Sequence, residues 1–369
     1  MNAEARAGLA APGRAPAAIG LALLLAFGLL CLVSAEPVHA FRQLLTGALP
    51  VPYWSDETGW TLRRLIRFGA VLDKTATLTL LGLAMLFGLR ARQFSMGADG
   101  QLMLAALAAL AVGVALPPLG GWSWLAAGAV AAAVGFAWGL LPGWLKTRFD
   151  ANEIVTSLML NIVALQGYRW IVSQGFNDPA AGFLATPALL ADARPPLIGG
   201  ASVLLLLIVL APALAAWLLN RSTLGYEIRV VGDAPAFARQ AGMPVERTVM
   251  LALGLGGAFA GLAGLHLSHG LLGRLPADLP QGVGFEGLVV ALLAANEPRR
   301  VPLAAFGYAL LEGGAQAMER GSDVPREMVL VIQALVVLLV VSVRLDPLAA
   351  LRRAAAALRR PRGAQQEPT

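Results

Sequence analysis

The chain has little of what a soluble enzyme of this length normally carries. Its 369 residues include one cysteine, Cys31, and three histidines. A lone cysteine excludes a disulfide framework within the chain. Charged residues account for only 14% of the sequence, whereas soluble domains carry roughly 25%. This composition does not fit a soluble globular protein.

Apolar sequence is what the chain has in abundance. Hydrophobic residues make up 57% of it, and the mean hydropathy is +0.69. A single core cannot bury that much apolar surface, but a bilayer can, at about 20 apolar residues per spanning helix. The sequence predicts an all-α polytopic membrane protein with about ten transmembrane helices. We place them near 17–35, 71–90, 101–118, 122–144, 154–173, 197–219, 248–272, 281–296, 299–316 and 328–344.

The first span is too long and too uniformly apolar for the core of a cleaved signal peptide, so we interpret it as a retained helix. Cleavage is the alternative, because the small residues Ser34 and Ala35 follow the apolar run. Residues 1–16 then form a short cytoplasmic N-terminus, 17–344 a transmembrane domain and 345–369 a basic cytoplasmic tail. The stretch at 281–296 is short for a full crossing, and we expect it either to tilt little or to begin inside the membrane.

Basic residues predict the orientation. With an even number of spans and the N-terminus inside, 18 of the 28 lysines and arginines fall in inside segments, as the positive-inside rule requires. This role explains the net charge of +6 better than nucleic-acid binding does, so no nucleic-acid partner is expected. The arginine-rich tail is interpreted as an anchor against anionic membrane lipid.

The outside segment 36–70 contains Trp54 and Trp60 near several arginines. Tryptophan is enriched at the headgroup level of membranes. We therefore expect an interfacial helix that leads into the second span, with a protein-docking surface as the alternative.

Two short segments resemble each other. Residues 97–100 read Gly-Ala-Asp-Gly and residues 284–287 read Gly-Phe-Glu-Gly, and each precedes a wholly apolar helix. An odd number of spans separates them, so the two helices should point in opposite directions, as in an inverted repeat with broken helices. Irregular backbone at membrane depth is tolerated where it is buried or lines a wet cavity. The alternative is a pair of ordinary turns at the membrane surface.

Polar residues inside spans are costly and usually purposeful. Asn161 lies in the middle of the fifth span and is a candidate for a transport path, with interhelical hydrogen bonding as the alternative. His266 and His269 lie near the outer end of the seventh span. We interpret both histidines as interfacial polar residues and predict no metal site, because further ligands are lacking.

The longest inside segment, about 220–247, should contain a short rigid helix. Asp233 can cap it, Pro235 fits its first turn, and Gly242 can end it. Phe237 would then be an exposed apolar residue on a lever between two spans, suited to contact a cytoplasmic partner. A plain connecting loop is the alternative.

No Gly-x-x-x-x-Gly-Lys-Ser/Thr motif occurs in the sequence, so ATP binding through a P-loop is excluded. No catalytic constellation is evident either. The chain is therefore predicted to be a transport component without cofactors rather than an enzyme, and its energy must come from a partner protein or an ion gradient.

Four blocks of sequence resemble the permeases of nucleoside and simple-sugar ABC importers, which belong to the superfamily of branched-chain amino acid and ribose-type permeases. Residues 94–101, Phe-Ser-Met-Gly-Ala-Asp-Gly-Gln, are similar to that family's Phe-Asn-Ile-Gly-x-Glu-Gly-Gln signature. Residues 152–161 resemble its Asn-Glu-x-x-x-Thr-x-Met-Leu-Asn block, 223–232 its cytoplasmic coupling segment, and 284–293 its later Gly-Phe block. The four occur in the family's order.

The resemblance implies a permease that moves nucleosides or related simple sugars across the bacterial inner membrane. It implies a cytoplasmic ABC ATPase, a second related permease in a heterodimer, and a periplasmic or lipid-anchored solute-binding protein as partners. The candidate path residues are Ser95, Asp99, Gln101, Asn161 and Glu286. The candidate ATPase-coupling residues are Arg229, Gly232, Asp233, Phe237 and Arg239. Ser95 stands where the family usually has Asn, which leaves the substrate open.

Two other functions fit part of the pattern. An ion-coupled secondary transporter of a small polar solute would also have an inverted repeat. A membrane-embedded enzyme is a third alternative, although it lacks a catalytic constellation in the sequence.

Overall fold

The computed structural model of the chain describes residues 14–55, 59–115, 122–198 and 201–345. These ranges contain thirteen α-helices and two small antiparallel hairpins. The helices are α1 Arg14–Val33, α2 Pro37–Thr46, α3 Leu65–Arg90, α4 Ala98–Ala115, α5 Ser123–Phe149, α6 Glu153–Trp170, α7 Leu207–Arg221, α8 Thr223–Asp233, α9 Pro235–Gln240, α10 Val245–Leu265, α11 Val283–Leu293, α12 Val301–Gly321 and α13 Arg326–Leu345. The strands are β1 Val51–Ser55, β2 Gly59–Arg63, β3 Leu197–Ile198 and β4 Ala201–Ser202. The all-α prediction is confirmed.

Short non-α turns extend several helices. π-helical turns at Ile171–Gly175 and His266–Leu272 prolong α6 and α10, and a 3-10 turn at Val203–Leu206 precedes α7. Three further 3-10 turns lie at Pro179–Ala181, Ala191–Ala193 and Pro298–Arg300.

Each of the ten predicted spans overlaps a helix, but the sixth, 197–219, begins too early, because Leu197–Ile198 and Ala201–Ser202 form the hairpin of β3 and β4. Within the described part of the chain, five helical segments are long and apolar enough to cross a membrane unaided: Leu65–Arg90, Ala98–Ala115, Ser123–Phe149, Val203–Arg221 and Val245–Leu272. Helix α11 has 11 residues, which is about 16 Å at 1.5 Å per residue. That length covers roughly half of a 30 Å hydrocarbon layer, so α11 is a half-helix.

The described residues divide into two compact units. The smaller unit joins the N-terminal residues up to Leu45 to the C-terminal residues from Ala315 onward, and α1 packs on α13 within it. Ser34 donates from its hydroxyl to Asp323 Oδ1 at 2.5 Å, and the Ala35 N–H donates to Oδ2 at 2.7 Å. These two bonds lower the pKa of Asp323 below its usual range, because they favour the charged carboxylate.

The larger unit, Thr46–Gly314, is built around α3, α4, α5 and α10. Its tightest pairing is between α5 and α10, where backbones touch at glycines. A Cβ on Gly135 would lie 2.2 Å from the Gly257 carbonyl oxygen, and one on Gly261 would lie 2.2 Å from the Ala131 carbonyl oxygen. Small residues four apart allow such close helix packing in membranes.

The expectation for segment 36–70 is wrong in part. A helix is present, but it is α2, and the residues just before α3 form a β-hairpin in which Trp54 pairs with Trp60. Strand-favouring residues such as Val51, Tyr53 and Thr61 explain the extended backbone. The predicted cytoplasmic N-terminus and the arginine-rich tail lie almost entirely outside the described residues.

Contacts between loops follow the predicted alternation of sides. Arg90, at the first predicted inside turn, donates to the Asn296 carbonyl oxygen at 2.7 Å, and Asn296 lies in another predicted inside turn. On the predicted outside, the Thr186 N–H donates to the Leu275 carbonyl oxygen at 3.0 Å. These contacts join loops that the ten-span arrangement places on the same side.

Candidate functional site

The two repeated turns meet in the structure. Asp99, in the first turn of α4, points its carboxylate at the start of the half-helix α11. Asp99 Oδ1 accepts from the Gly284 N–H at 2.7 Å, and Oδ2 accepts from the Gly282 N–H at 3.3 Å. Asp99 therefore caps a helix that begins far along the sequence, and its negative charge faces the positive end of that helix.

Glycine is favoured at this contact. A Cβ on Gly284 would lie 3.0 Å from the Asp99 backbone nitrogen. Gly282, just before α11, has a φ of +90°, which L-residues with side chains rarely adopt. The glycines thus let the two helix starts approach within hydrogen-bond distance.

The half-helix α11 runs parallel to α3. Lys74 contacts Glu286 near the start of α11, and Arg90, at the end of α3, binds the carbonyl oxygen of Asn296 just beyond the end of α11. The contacts of α11 therefore advance along both helices in the same direction.

Helix α4 runs the opposite way. Successive contacts of α4 move in the same direction along α10, so these two helices are parallel. Successive contacts of α3 move in the opposite direction along α10, so α3 and α10 are antiparallel. The pairs that show this are Leu102 with Gly264, Gly113 with His269, Ala84 with Gly256, and Asp73 with His266. The two helices that follow the repeated turns thus point in opposite directions, as the sequence predicts.

Asn161 holds the start of α4 from the side. Its Oδ1 accepts from the Gly100 N–H at 2.9 Å, and its Nδ2 donates to the Met96 carbonyl oxygen at 2.6 Å. Ser157, one turn earlier on α6, accepts from the Met96 N–H at 2.9 Å. Interhelical hydrogen bonding, the alternative interpretation of Asn161, is what this geometry contains, and it places the side chain beside the junction of α4 and α11.

Ser95 and Gln101 lie on the other side of the same turn. The Ser95 hydroxyl is 3.4 Å from the Gly97 N–H. Gln101 is buried, and a small void lies between these two side chains, Gly88 and Gly256. All four candidate path residues of the first turn and of α6 therefore surround the start of α4.

Glu286 belongs to an ion cluster that sequence reasoning missed. Lys74 Nζ lies 2.7 Å from Glu286 Oε2 and 3.0 Å from Glu312 Oε2, and all three side chains are about three-quarters buried. They come from α3, α11 and α12. The available sequence signal was a lysine inside an apolar span, since such a charge normally has a partner.

The interpretation of the two histidines as interfacial is wrong. His266 and His269 lie in the π-helical turn after α10 and are almost fully buried. His266 Nε2 lies 3.2 Å from the Asp73 carbonyl oxygen, and His269 Nδ1 lies 2.9 Å from the Ser268 hydroxyl. The His266 ring contacts α3, and the His269 ring contacts the adjacent Ser268 within the same turn.

The inside segment contains two helices rather than one. Helix α8 begins after Ser222, whose hydroxyl accepts from the Gly225 N–H at 2.9 Å. Asp233 is the last residue of α8 and does not cap α9, which begins at Pro235 with Ala234 at its N-cap. The predicted capping role of Asp233 is wrong because the family-like stretch 223–232 is itself helical. Gly242 follows the end of α9 with a φ of +75°.

Helix α8 is pressed against the end of α3. A Cβ on Gly232 would lie 2.0 Å from the Arg90 carbonyl oxygen. Thr248 at the start of α10 also donates to Glu227 at 3.1 Å. Helix α8 is thus held against α3 and α10, two helices that reach the junction of the repeated turns.

Several side chains of this segment face outward. Phe237 is 58% exposed and Tyr226 is 53% exposed. Arg239 is exposed as well, and Arg229 donates to Asn220 Oδ1 at 3.3 Å. The pair α8–α9 therefore presents an aromatic and basic surface on one side of the larger unit.

Together, the half-helix α11, the paired turns and the exposed pair α8–α9 define the chain as a membrane-spanning transport component. The family model for the permease component of branched-chain amino acid transport systems matches residues 68–341. The glucose ABC transporter permease TsgB13 of Haloferax volcanii is 36% identical over 74% of this chain and 75% of its own length. The guanosine ABC transporter permease NupP of Bacillus subtilis is 35% identical over 74% and 80%.

A nucleoside ABC transporter permease, NupB of Lactococcus lactis, is 25% identical over 86% of both chains. No solved structure matches the chain. The chain belongs to the family of branched-chain amino acid transport system permease components. It is the permease component of an ABC importer, a transporter part rather than an enzyme, and this class implies an ATPase and a solute-binding protein as partners.

Proposed function

We propose that the chain imports nucleosides or related simple sugars, and that the cargo passes the junction of α4 and α11. The observation that carries the proposal is the Asp99 carboxylate on the Gly282 and Gly284 N–H groups. Two interrupted helices whose N-termini meet, with polar side chains around them, are a feature of transport paths. The candidate path residues are Ser95, Asp99, Gln101, Asn161 and Glu286.

The cargo class is inferred from chemistry and from the relatives. Relatives named for guanosine, nucleosides and glucose share the same family. Ribose and glucose rings carry several hydroxyl groups, which donate to carboxylates and amides. Asp99, Asn161 and Glu286 supply such acceptors, and a neutral hydroxylated solute needs no opposite charge in the path.

Uptake of radiolabelled guanosine and glucose by cells that express the importer tests the path. Asp99→Asn and Glu286→Gln should each lower uptake, while the amount of assembled permease stays near wild type. Glu246→Gln, an exposed acid at the start of α10, is the matched control and should transport normally. Wild-type uptake by both path variants would leave the turns with a structural role only.

The solute-binding protein separates the possible cargoes. Calorimetry of that protein against purine nucleosides, pyrimidine nucleosides and sugars should give tight binding for one of these classes. Binding of branched-chain amino acids instead would contradict the cargo part of the proposal and leave the path untouched.

We further propose that α8 and α9 form the surface that receives the ATPase in the cytoplasm. Phe237 would insert into the ATPase, and Arg229, Gly232, Asp233 and Arg239 would position the contact. The support is the exposure of Phe237 together with the close packing of Gly232 on the Arg90 carbonyl oxygen. A displacement of this surface would be transmitted directly to α3, because Gly232 packs on the end of α3. The turn that contains Asp99 follows α3 in the chain.

The assembly proposed from the family includes a second, related permease in a heterodimer and a periplasmic or lipid-anchored binding protein. The complex lies in the bacterial inner membrane with both termini of the chain in the cytoplasm and the basic tail against anionic lipid. Co-purification from the native membrane, followed by mass determination of the intact complex, should give one copy each of two different permeases.

A further inference from the structure

A groove on the surface of the larger unit runs along α7. It has a volume of about 790 Å³, within the range of about 300–1,000 Å³ that small-molecule sites occupy. One end is apolar and is lined by Ile208, Val209, Pro212 and Ala213. The span that carries these residues is the most apolar of the five candidate spans and is only 33% buried. This end of the groove therefore opens toward hydrocarbon.

The other end of the groove is basic. Arg221 closes α7, and Arg299 lies in the 3-10 turn that precedes α12 and packs on α7. Both are exposed, and neither has an acidic partner within the described part of the chain. The lining includes no Asp or Glu. The start of the 21-residue helix α12 adds the positive end of its dipole beside Arg299.

Trp217 and Asn220 line the groove between the two ends. Trp217 is 58% exposed, and an exposed tryptophan at this position of a spanning helix marks the headgroup level of the bilayer. The groove is thus apolar at membrane depth, carries an indole at the interface, and ends in two guanidinium groups that have no acidic partner among the described residues.

From this arrangement we propose that the groove binds one anionic phospholipid. The phosphate lies between Arg221 and Arg299, the glycerol region lies against Trp217, and an acyl chain follows Val209, Pro212 and Ala213. Basic pockets between spanning helices hold anionic headgroups in this way. A free phosphate ion would use the arginines but not the apolar end. A protein partner would not require an apolar end at membrane depth together with a basic end at the headgroup level.

Native mass spectrometry of the full-length permease, released from nanodiscs that contain phosphatidylglycerol and phosphatidylcholine, tests the site. The wild type should retain one phosphatidylglycerol in preference to phosphatidylcholine. The Arg221→Ala/Arg299→Ala variant should bind it roughly 25-fold more weakly, since each basic residue near an anionic surface contributes roughly fivefold. Arg148→Ala/Arg247→Ala removes the same charge at exposed positions outside the groove and should bind like the wild type.

A second variant keeps both arginines and fills the apolar end. Ala213→Phe should also lose the retained lipid, and this readout does not depend on the charge change. Soluble glycerophosphoglycerol should not displace phosphatidylglycerol from the wild type. Displacement by that headgroup, equal retention of both lipids, unchanged binding in both groove variants, or a second copy of the chain crosslinked through Ala213→Cys would each overturn the proposal.

Discussion

At the scale of single residues, the charge of Lys74 links three helices of the larger unit. It lies between Glu286 and Glu312, so three groups from three helices carry a net charge of −1. Charged groups inside a membrane protein persist only when they are paired. Without the ammonium group, two carboxylates would remain close together with no cation between them.

Lys74→Met should therefore lower the stability of the folded permease by about 2 kcal/mol, less than the 3–5 kcal/mol of a fully buried pair because these side chains are partly exposed. Thermal unfolding in detergent, followed by the intrinsic fluorescence of the chain's eight tryptophans, measures the change. Lys74→Arg keeps the charge and should stay near wild type.

The double variant Lys74→Met/Glu286→Gln restores the net charge of the cluster. It should recover part of the stability lost in Lys74→Met, and this recovery distinguishes charge from packing. If Glu286→Gln lowers the stability of Lys74→Met by as much as it lowers the stability of the wild type, the cluster has no electrostatic role.

Single residues also show where sequence reasoning stopped. Asp99 and Glu286 could be found because the motif around them repeats. Lys74 and Glu312 could not be paired, because nothing in local sequence states which helices will be neighbours. Asn161 was identified, but its partners, the Gly100 N–H and the Met96 carbonyl oxygen, are backbone groups without a side-chain signature.

At the scale of elements, the contact of α5 with α10 is set by glycine. Gly135 and Gly139 face Gly257 and Gly261 so closely that each backbone touches the other. In lipid, such packing supplies much of the attraction between helices, because burying apolar surface gains little. Any side chain here must push two helices apart.

Gly257→Ala is therefore expected to destabilise the permease by about 2–3 kcal/mol, as overpacking in a close-packed core does. Its Cβ would lie 2.1 Å from the Gly135 carbonyl oxygen. Gly167→Ala in α6 is the control, because its Cβ would meet nothing within 4 Å, and it should stabilise by roughly 0.5–1 kcal/mol. Equal melting temperatures for the two variants would contradict the glycine contact.

The pair α8–α9 is the other element with a specific prediction. Phe237→Ala should weaken binding of the ATPase by about 2 kcal/mol, the usual size of an interface hot spot, which is about thirtyfold in affinity. Pull-down of the tagged ATPase with solubilised permease, at a series of concentrations, measures this. Phe149→Ala, another exposed aromatic at a helix end, should bind normally.

Undiminished binding and full uptake by Phe237→Ala would show that the ATPase contacts another surface.

The sequence indicated a helix in this segment but assigned its cap wrongly. Propensity rules favour Asp before Pro as a cap, yet α8 continues through Asp233 because its packing against α3 and α10 stabilises it. The hairpin of β1 and β2 was missed for a related reason, since tryptophans near a membrane surface are compatible with helix and strand alike.

At the scale of the whole molecule, the lengths of the apolar runs were enough to place ten helices and to identify α11 as short. The inverted direction of α4 and α11 followed from counting spans. Glycine-rich, strongly apolar sequence did not reveal which helices pack together, because membrane helices are apolar on all faces and lack the amphipathic pattern that orients soluble helices.

The orientation of the molecule is a prediction from the 18 basic residues on the inside segments. In a Cys31→Ser background, a cysteine at Ala236 should resist a membrane-impermeant maleimide added to intact spheroplasts, and one at Ala180 should react. Both positions are exposed, so in cells that express the permease without its ATPase, access depends on the side of the membrane. The reverse labelling pattern would invert the topology.

The central proposal is that ATP hydrolysed by a partner moves a hydroxylated solute past the Asp99 junction. The most direct test is uptake of labelled guanosine and glucose into proteoliposomes that contain the permeases, the ATPase and the binding protein, without any ion gradient. Uptake should require ATP on the side of α8–α9 and fall about tenfold in Asp99→Asn, the effect of losing about 1.4 kcal/mol from a charged hydrogen bond. Uptake that an ion gradient drives without ATP, or that Asp99→Asn leaves unchanged, would contradict the account.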